Sequence, residues 1–123
     1  MTRVRVRNLD RGTVLADRAR VADSFWSRLR GLLGTDALAN GDGLILRPCT
    51  SIHMFGMRYP IDVAFLDAEG RVVATYAALA PGRWTRIHRT ARAALELPAG
   101  TLSEAATAPG DRLDIAPASE NAP

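Results

Sequence analysis

The chain has 123 residues, 47% hydrophobic and 24% charged, the composition of one folded domain with no room for a second core. Its charge of +3 rests on 16 basic residues, all of them arginine and scattered apart from Arg83, Arg86, Arg89 and Arg92, so nucleic acid is not a favoured partner. No window approaches the roughly 18 to 20 apolar residues of a bilayer span, and one cysteine excludes an internal disulfide.

Arginine without lysine, beside abundant alanine, glycine and proline, fits the codon usage of a GC-rich bacterial genome better than selection for an anionic partner. The start, MTRVRVRNLDRG, lacks a signal peptide's apolar core, and the expected location is cytoplasmic.

Residues 3–7 alternate as RVRVR, the period of a strand with one wet face, and after a turn at Asn8, Asp10 and Gly12 a second strand spans 13–22. Asp23 or Ser24 caps a short helix near 24–33, where Phe25, Leu29, Leu32 and Leu33 recur at helical spacing. Phe25 and Trp26 are expected in the core. After the turn at 40–43, residues 44–46 form an apolar strand.

Residues 61–66 and 71–79 flank the turn at 67–70 as a hairpin whose aliphatic content predicts two central strands. A strand at 93–97 follows, then a second helix near 102–107, with Thr101 and Glu104 at capping-box spacing, and a last strand at 112–115. About seven short strands and two short helices predict an α+β domain with a compact, mostly antiparallel, bent or barrel-like sheet. Residues 1–116 form the globular domain and 117–123 a flexible tail.

The chemistry concentrates in residues 47–67, RPCTSIHMFGMRYPIDVAFLD. A cysteine nucleophile needs a base, and His53 follows Cys49 by four residues; in an extended segment, about 3.3 Å per residue sets them about 13 Å apart. The pair meets only if the loop coils, or if His88 or Asp62 supplies the partner. Cys49, His53, His88 and Asp62 have the types of a zinc or iron site without any recognised spacing. A triad of Ser51, His53 and Asp62 lacks a nucleophile elbow.

Asp62 stands between apolar residues at the mouth of a strand, where it must find hydrogen bonds or a cation such as Arg58. Met54, Phe55, Met57 and Tyr59 are dense for a loop and suit an adaptable binding surface.

The run GLILRPCTSIHMFGMRYPIDVAFLDAEGRVV, followed by LPAGT and a late Gly-Asp, resembles the domain of unknown function 192 family (uncharacterised protein family 0127) of bacteria and archaea. Upstream, RLRGLLG is similar to that family's helix end, with Leu33 where methionine is frequent; Gly56 replaces the usual aromatic and Tyr59 a common phenylalanine. The resemblance implies a β-rich α+β fold, no established activity, and an association with pilus or export machinery.

The residues single out a binding module with a groove formed by the 48–62 loop, walled on its other side by 81–88, for a small molecule, peptide or partner protein. Cys49, Ser51, His53, Met57, Arg58, Asp62 and Trp84 are its candidate residues, with no catalytic residue, metal or cofactor assigned. The alternative is a hydrolase or thiol-type enzyme using Cys49, His53 and Asp62.

Overall fold

The computed structural model describes residues 3–118. Its elements run β1 (Arg3–Asn8), β2 (Thr13–Ala22), α1 (Phe25–Arg30), β3 (Asp42–Leu46), β4 (Ile61–Leu66), β5 (Val72–Leu79), β6 (Ala93–Pro98), α2 (Thr101–Glu104) and β7 (Leu113–Pro117). The class is α+β, as the pattern predicts. One mixed sheet has the order β5-β4-β6-β3-β2-β1-β7. Only β2 and β3 pair in parallel.

The sheet curls into a half-barrel. Register shifts along β1–β2 and β4–β5 mark irregular pairing, which bends strands. The outermost strands then meet at one end: Val72 N–H donates to the Asp111 carbonyl at 2.8 Å and Leu113 N–H to the Gly70 carbonyl at 2.9 Å. Glycine is required there, since a Cβ on Gly70 would lie 2.7 Å from the Leu113 oxygen and its φ is +83°. Beside this junction Asn8 donates to Thr107 and Asp111, and with Ala108 N–H and Arg11 holds the Asp111 carboxyl below its ordinary range.

Every residue of β4 and β6 is buried, and their side chains alternate between two apolar clusters, one on each face of the sheet. Ala64, Leu66, Leu95 and Leu97 pack on one face; Val63, Phe65 and Ala94 pack on the other. β4 is internal, as expected, but β5 is an edge strand. Beyond Val72, which bonds to the 110–111 segment, its ladder partner is β4, and it is only half-buried.

Both helices differ in detail from the expectation. Ser24 caps α1 through a reciprocal box with Ser27, and the helix ends at Gly31. Trp26 is 74% exposed rather than in the core, and Leu29 is 59% exposed; only Leu32 is buried. The Phe25 side chain lies outside the described set. A six-residue helix is too short to bury both flanks, and Leu29, with Leu32 and Leu33 just after the helix, lines a cleft instead.

The second helix covers four residues, and no Thr101–Glu104 capping box forms. Asp62 takes that role from β4: its carboxylate accepts from Gly100 N–H at 3.1 Å, Leu102 N–H at 2.9 Å and Ala78 N–H at 2.8 Å. At the C-terminus, Pro117 still pairs with Val4, and Ala118 N–H donates to the Arg3 carbonyl. The rest of the expected tail, 119–123, lies outside the described residues.

Replacing Asp62 by asparagine puts an amide donor against backbone donors and leaves buried N–H groups unanswered. The variant is expected to lose about 3 kcal/mol of unfolding free energy in urea titration. A loss below about 0.5 kcal/mol would show that the carboxylate does not hold these segments.

Candidate functional site: a cleft floored by Glu96

After β3 the chain passes a cis Arg47–Pro48 peptide and runs alongside the 81–88 segment. The two are laced by backbone bonds: Met54 N–H to the Arg83 carbonyl at 2.7 Å, Thr85 N–H to that of Ile52 at 2.8 Å, and His88 N–H to that of Thr50 at 2.8 Å. Ile52 and Met54 bury one side of this ribbon. On the other, His53 and Phe55 stack with centroids 5.5 Å apart, and Trp84, 66% exposed, lies 5.8 Å from Phe55.

The two loops therefore fill the groove expected between them. The open cleft lies on the opposite side of the 48–57 loop, with α1 and the turn after it as second wall. Its volume is about 310 Å³. Leu29, Leu32 and Leu33 come from the helix side, Cys49, Ile52, His53 and Met57 from the loop, Leu46 from β3 and Glu96 from β6.

Glu96 follows from strand geometry. It shares a face with Ala94, and its cross-strand neighbours are Leu44 on β3 and Val63 on β4, both buried and apolar. The side chain is 5% exposed and no described residue gives its carboxyl a hydrogen bond or an ion pair. Burial pushes its pKa up from 4.5 to about 7.

Arg28 stands on the same cleft. One guanidinium nitrogen, Nη1, donates to the Pro48 carbonyl at 3.2 Å. Among the described residues Nε, shielded from water, has no acceptor, and Nη2 has no partner. A buried donor left unanswered costs about 1–3 kcal/mol.

Cys49 joins these two groups electrostatically. Its thiol donates to the Ser51 carbonyl at 3.1 Å. Burial pushes the thiol pKa up, the Ser51 contact opposes this, Glu96 adds to it, and Arg28 again opposes it.

Of the candidate residues, Cys49, Ser51, His53 and Met57 line the cleft and the others do not. Arg58 pairs with Asp36 on the surface rather than with Asp62. Asp62 lies on the opposite face of the sheet from Glu96, bound to three amides. Trp84 sits on the outer side of the ribbon. His88 is buried against Phe65 at 4.6 Å and bonded to Tyr76 at 2.7 Å, and burial, then Arg86, lowers its pKa. Cys49, His53 and Asp62 thus share no hydrogen bond. Among the described residues no three His, Cys, Asp or Glu side chains gather to hold a metal ion.

Glu96 and Arg28 were not singled out from the sequence. The signal for Glu96 was present: it is a lone acid inside the apolar run 93–98, the same pattern that drew attention to Asp62. Nothing comparable marks Arg28 among so many arginines.

A curled sheet with a short helix and a laced double loop beside one partly apolar cleft defines a small β-rich domain. The chain belongs to the DUF192 family, "Uncharacterized ACR", whose model matches residues 6–115. A UPF0127 protein of Thermococcus sibiricus (strain DSM 12597 / MM 739) is 35% identical over 111 residues, covering 87% of this chain and 71% of that protein.

Two crystal structures are similar in fold. A protein of unknown function from Novosphingobium aromaticivorans DSM 12444 gives a TM-score of 0.78 at 22% identity, covering 91% of this chain and 83% of that one. A protein described as a "putative transcription regulator" from Sinorhizobium meliloti 1021 gives 0.77 at 25% identity, covering 93% and 92%.

The raised Glu96 pKa sets a pH dependence. Between 4.5 and about 7 the folded state keeps a proton that the unfolded chain releases, so stability is full at low pH and falls as pH rises through the upper value. At 1.36 kcal/mol per unit the full loss is on the order of 3 kcal/mol. Glu96→Gln should therefore match the parent in urea unfolding near pH 4.5 and exceed it by roughly 2–3 kcal/mol near pH 8. The lowered pKa of His88 is common to both proteins and cancels. A difference that does not vary with pH would place Glu96 in a solvated or paired state.

Proposed function

We propose that this chain is a binding module whose site is the cleft between α1 and the 48–57 loop, and that its ligand is a small molecule or the end of a peptide. Glu96 carries the reading. An acid fixed in an apolar strand environment, with no partner among the described residues, destabilises the protein and is best explained by a ligand that answers it. Exposed Leu29 and Leu33 beside it supply the apolar wall that small-molecule sites combine with few polar groups.

The thiol-enzyme alternative draws less support. A nucleophilic cysteine needs a lowered pKa and an adjacent base, whereas the Cys49 pKa is raised and its thiol is bonded to a carbonyl. Pilus or export association has no counterpart in this geometry, and no helix among the described residues is long and apolar enough to cross a membrane.

A fragment screen read by amide NMR shifts tests the binding reading. Hits are expected to move amides of residues 28–33, 49–57 and 96 together; hits confined to other surfaces, or none at all, would refute it. The thiol separates the two functions. Cys49 should react with iodoacetamide at neutral pH about tenfold more slowly than free cysteine, and faster reaction than free cysteine would favour the enzyme.

A further inference from the structure

Independently of the cleft, we infer that the outer face of the laced ribbon docks on a bilayer surface bearing anionic headgroups. Exposed apolar side chains and a basic rim without acids coincide there. Phe55, Trp84 and Ile87 are each more than half exposed. His53 bridges to Trp84 across the ribbon and stacks on Phe55, which in turn lies 5.8 Å from Trp84. On the second arm Thr85 and His88 are buried, and Trp84, Arg86 and Ile87 are left in solvent, outside the cleft. Apolar surface runs on from Phe55 to exposed Leu33, whose Cδ2 would lie 3.1 Å from a Cβ on Gly56.

The charge around this patch has one sign. No aspartate or glutamate occurs in residues 43–61 or 70–95, the stretches that contain both arms of the ribbon. Arg83, Arg86 and Arg89 are exposed, and among the described residues their guanidinium groups make no ion pair or hydrogen bond. Arg7, Arg11, Arg18 and Arg58, by contrast, each pair with an aspartate.

These features match an interfacial site. Tryptophan settles at headgroup level, and the Trp84 indole N–H, with no acceptor among the described residues, is available to an ester or phosphate oxygen. Unpaired backbone groups are costly in that layer. Here the amides of Ile52, Met54, Thr85 and His88 all find acceptors within the ribbon. Each arginine near an anionic leaflet strengthens attachment about fivefold. Contact through so few side chains is shallow, reversible and weakened by salt, and spans nothing.

Two other occupants fit less well. Single-stranded nucleic acid stacks its bases on open ring faces, but His53 and Phe55 already stack on each other and Ile87 has no ring. A folded protein partner needs a shape-matched patch of about 800 Å², whereas lipid has no shape to match and moulds itself around a narrow ribbon.

Co-sedimentation with vesicles tests the inference. The protein is expected to bind vesicles of phosphatidylcholine and phosphatidylglycerol, and to bind phosphatidylcholine alone at least about tenfold more weakly, the difference shrinking as salt rises. Trp84→Ala should weaken binding to the anionic vesicles about tenfold. Arg83→Gln, Arg86→Gln and Arg89→Gln together should weaken it about hundredfold. Leu9→Ser should bind as the parent does: Leu9 is exposed at the turn before β2, whereas the ribbon leaves β3 beside the far end of that strand. Urea unfolding midpoints equal to the parent's separate lost binding from lost folding. In a Trp26→Phe protein, where Trp84 is the remaining indole, emission should shift to the blue when anionic vesicles are added.

Equal binding to both kinds of vesicle, binding to neither, full affinity in the Trp84 or the triple arginine variant, or an unshifted emission from vesicle-bound protein would each overturn the inference. Binding of a single-stranded oligonucleotide in place of vesicles, lost in the same variants, would assign the face to nucleic acid instead. None of these outcomes bears on the fragment screen of the cleft.

Discussion

Three backbone amides converge on the Asp62 carboxylate, and the arrangement of the half-barrel's outer parts depends on that convergence. From the interior strand β4, one side chain fixes Ala78, a residue at φ +49° near the end of β5, and the start of α2. Neither segment has an adequate anchor of its own: β5 is an edge strand, and α2 has four residues and no capping side chain. A carboxylate that accepts several N–H bonds stabilises its charge without a cation. That is why Arg58 is free to pair elsewhere.

The adjacent strand carries a second acid in a comparable position and gives it the opposite treatment. Asp62 is opposite Leu97 and Glu96 opposite Val63, so one residue step in register turns the two carboxyls to opposite faces. On Asp62's face the chain ends and loops supply amides. On Glu96's face the neighbours are Leu44 and Val63, whose backbone groups are engaged in the sheet and whose side chains offer no donor. The contrast separates a structural acid from one that the fold leaves available.

Most of the fold was legible because period-two alternation, glycine turns and apolar runs are local signals. Strand positions, the 67–70 hairpin and the Ser24 cap follow from a few neighbouring residues each. The edge position of β5 was not legible, since aliphatic content does not distinguish a strand covered on one side by a neighbour from one covered on both. Nor was the cap of α2: it comes from Asp62, about 40 residues away in the chain, and a well-spaced local pair at Thr101 and Glu104 gave the wrong donor–acceptor scheme.

For the candidate site, Cys49, Ser51, His53 and Met57 could be placed together because they lie on one loop; Arg28 and Glu96 could not, because sheet pairing and helix docking bring them there.

The same physics explains why the cleft stays open. Leu29 and Leu33 on the helix side and Ile52, Met54 and Met57 on the loop side are apolar enough to close on one another. Closing would seal the Glu96 carboxyl and the rest of the Arg28 guanidinium away from water without pairing them, adding desolvation of a cation to that of a carboxyl. The loop is also held from behind, by its backbone bonds to the 81–88 segment, and cannot fold inward without breaking them. An unanswered acid, a partly engaged guanidinium and a loop braced from its far side together keep apolar surface in contact with solvent.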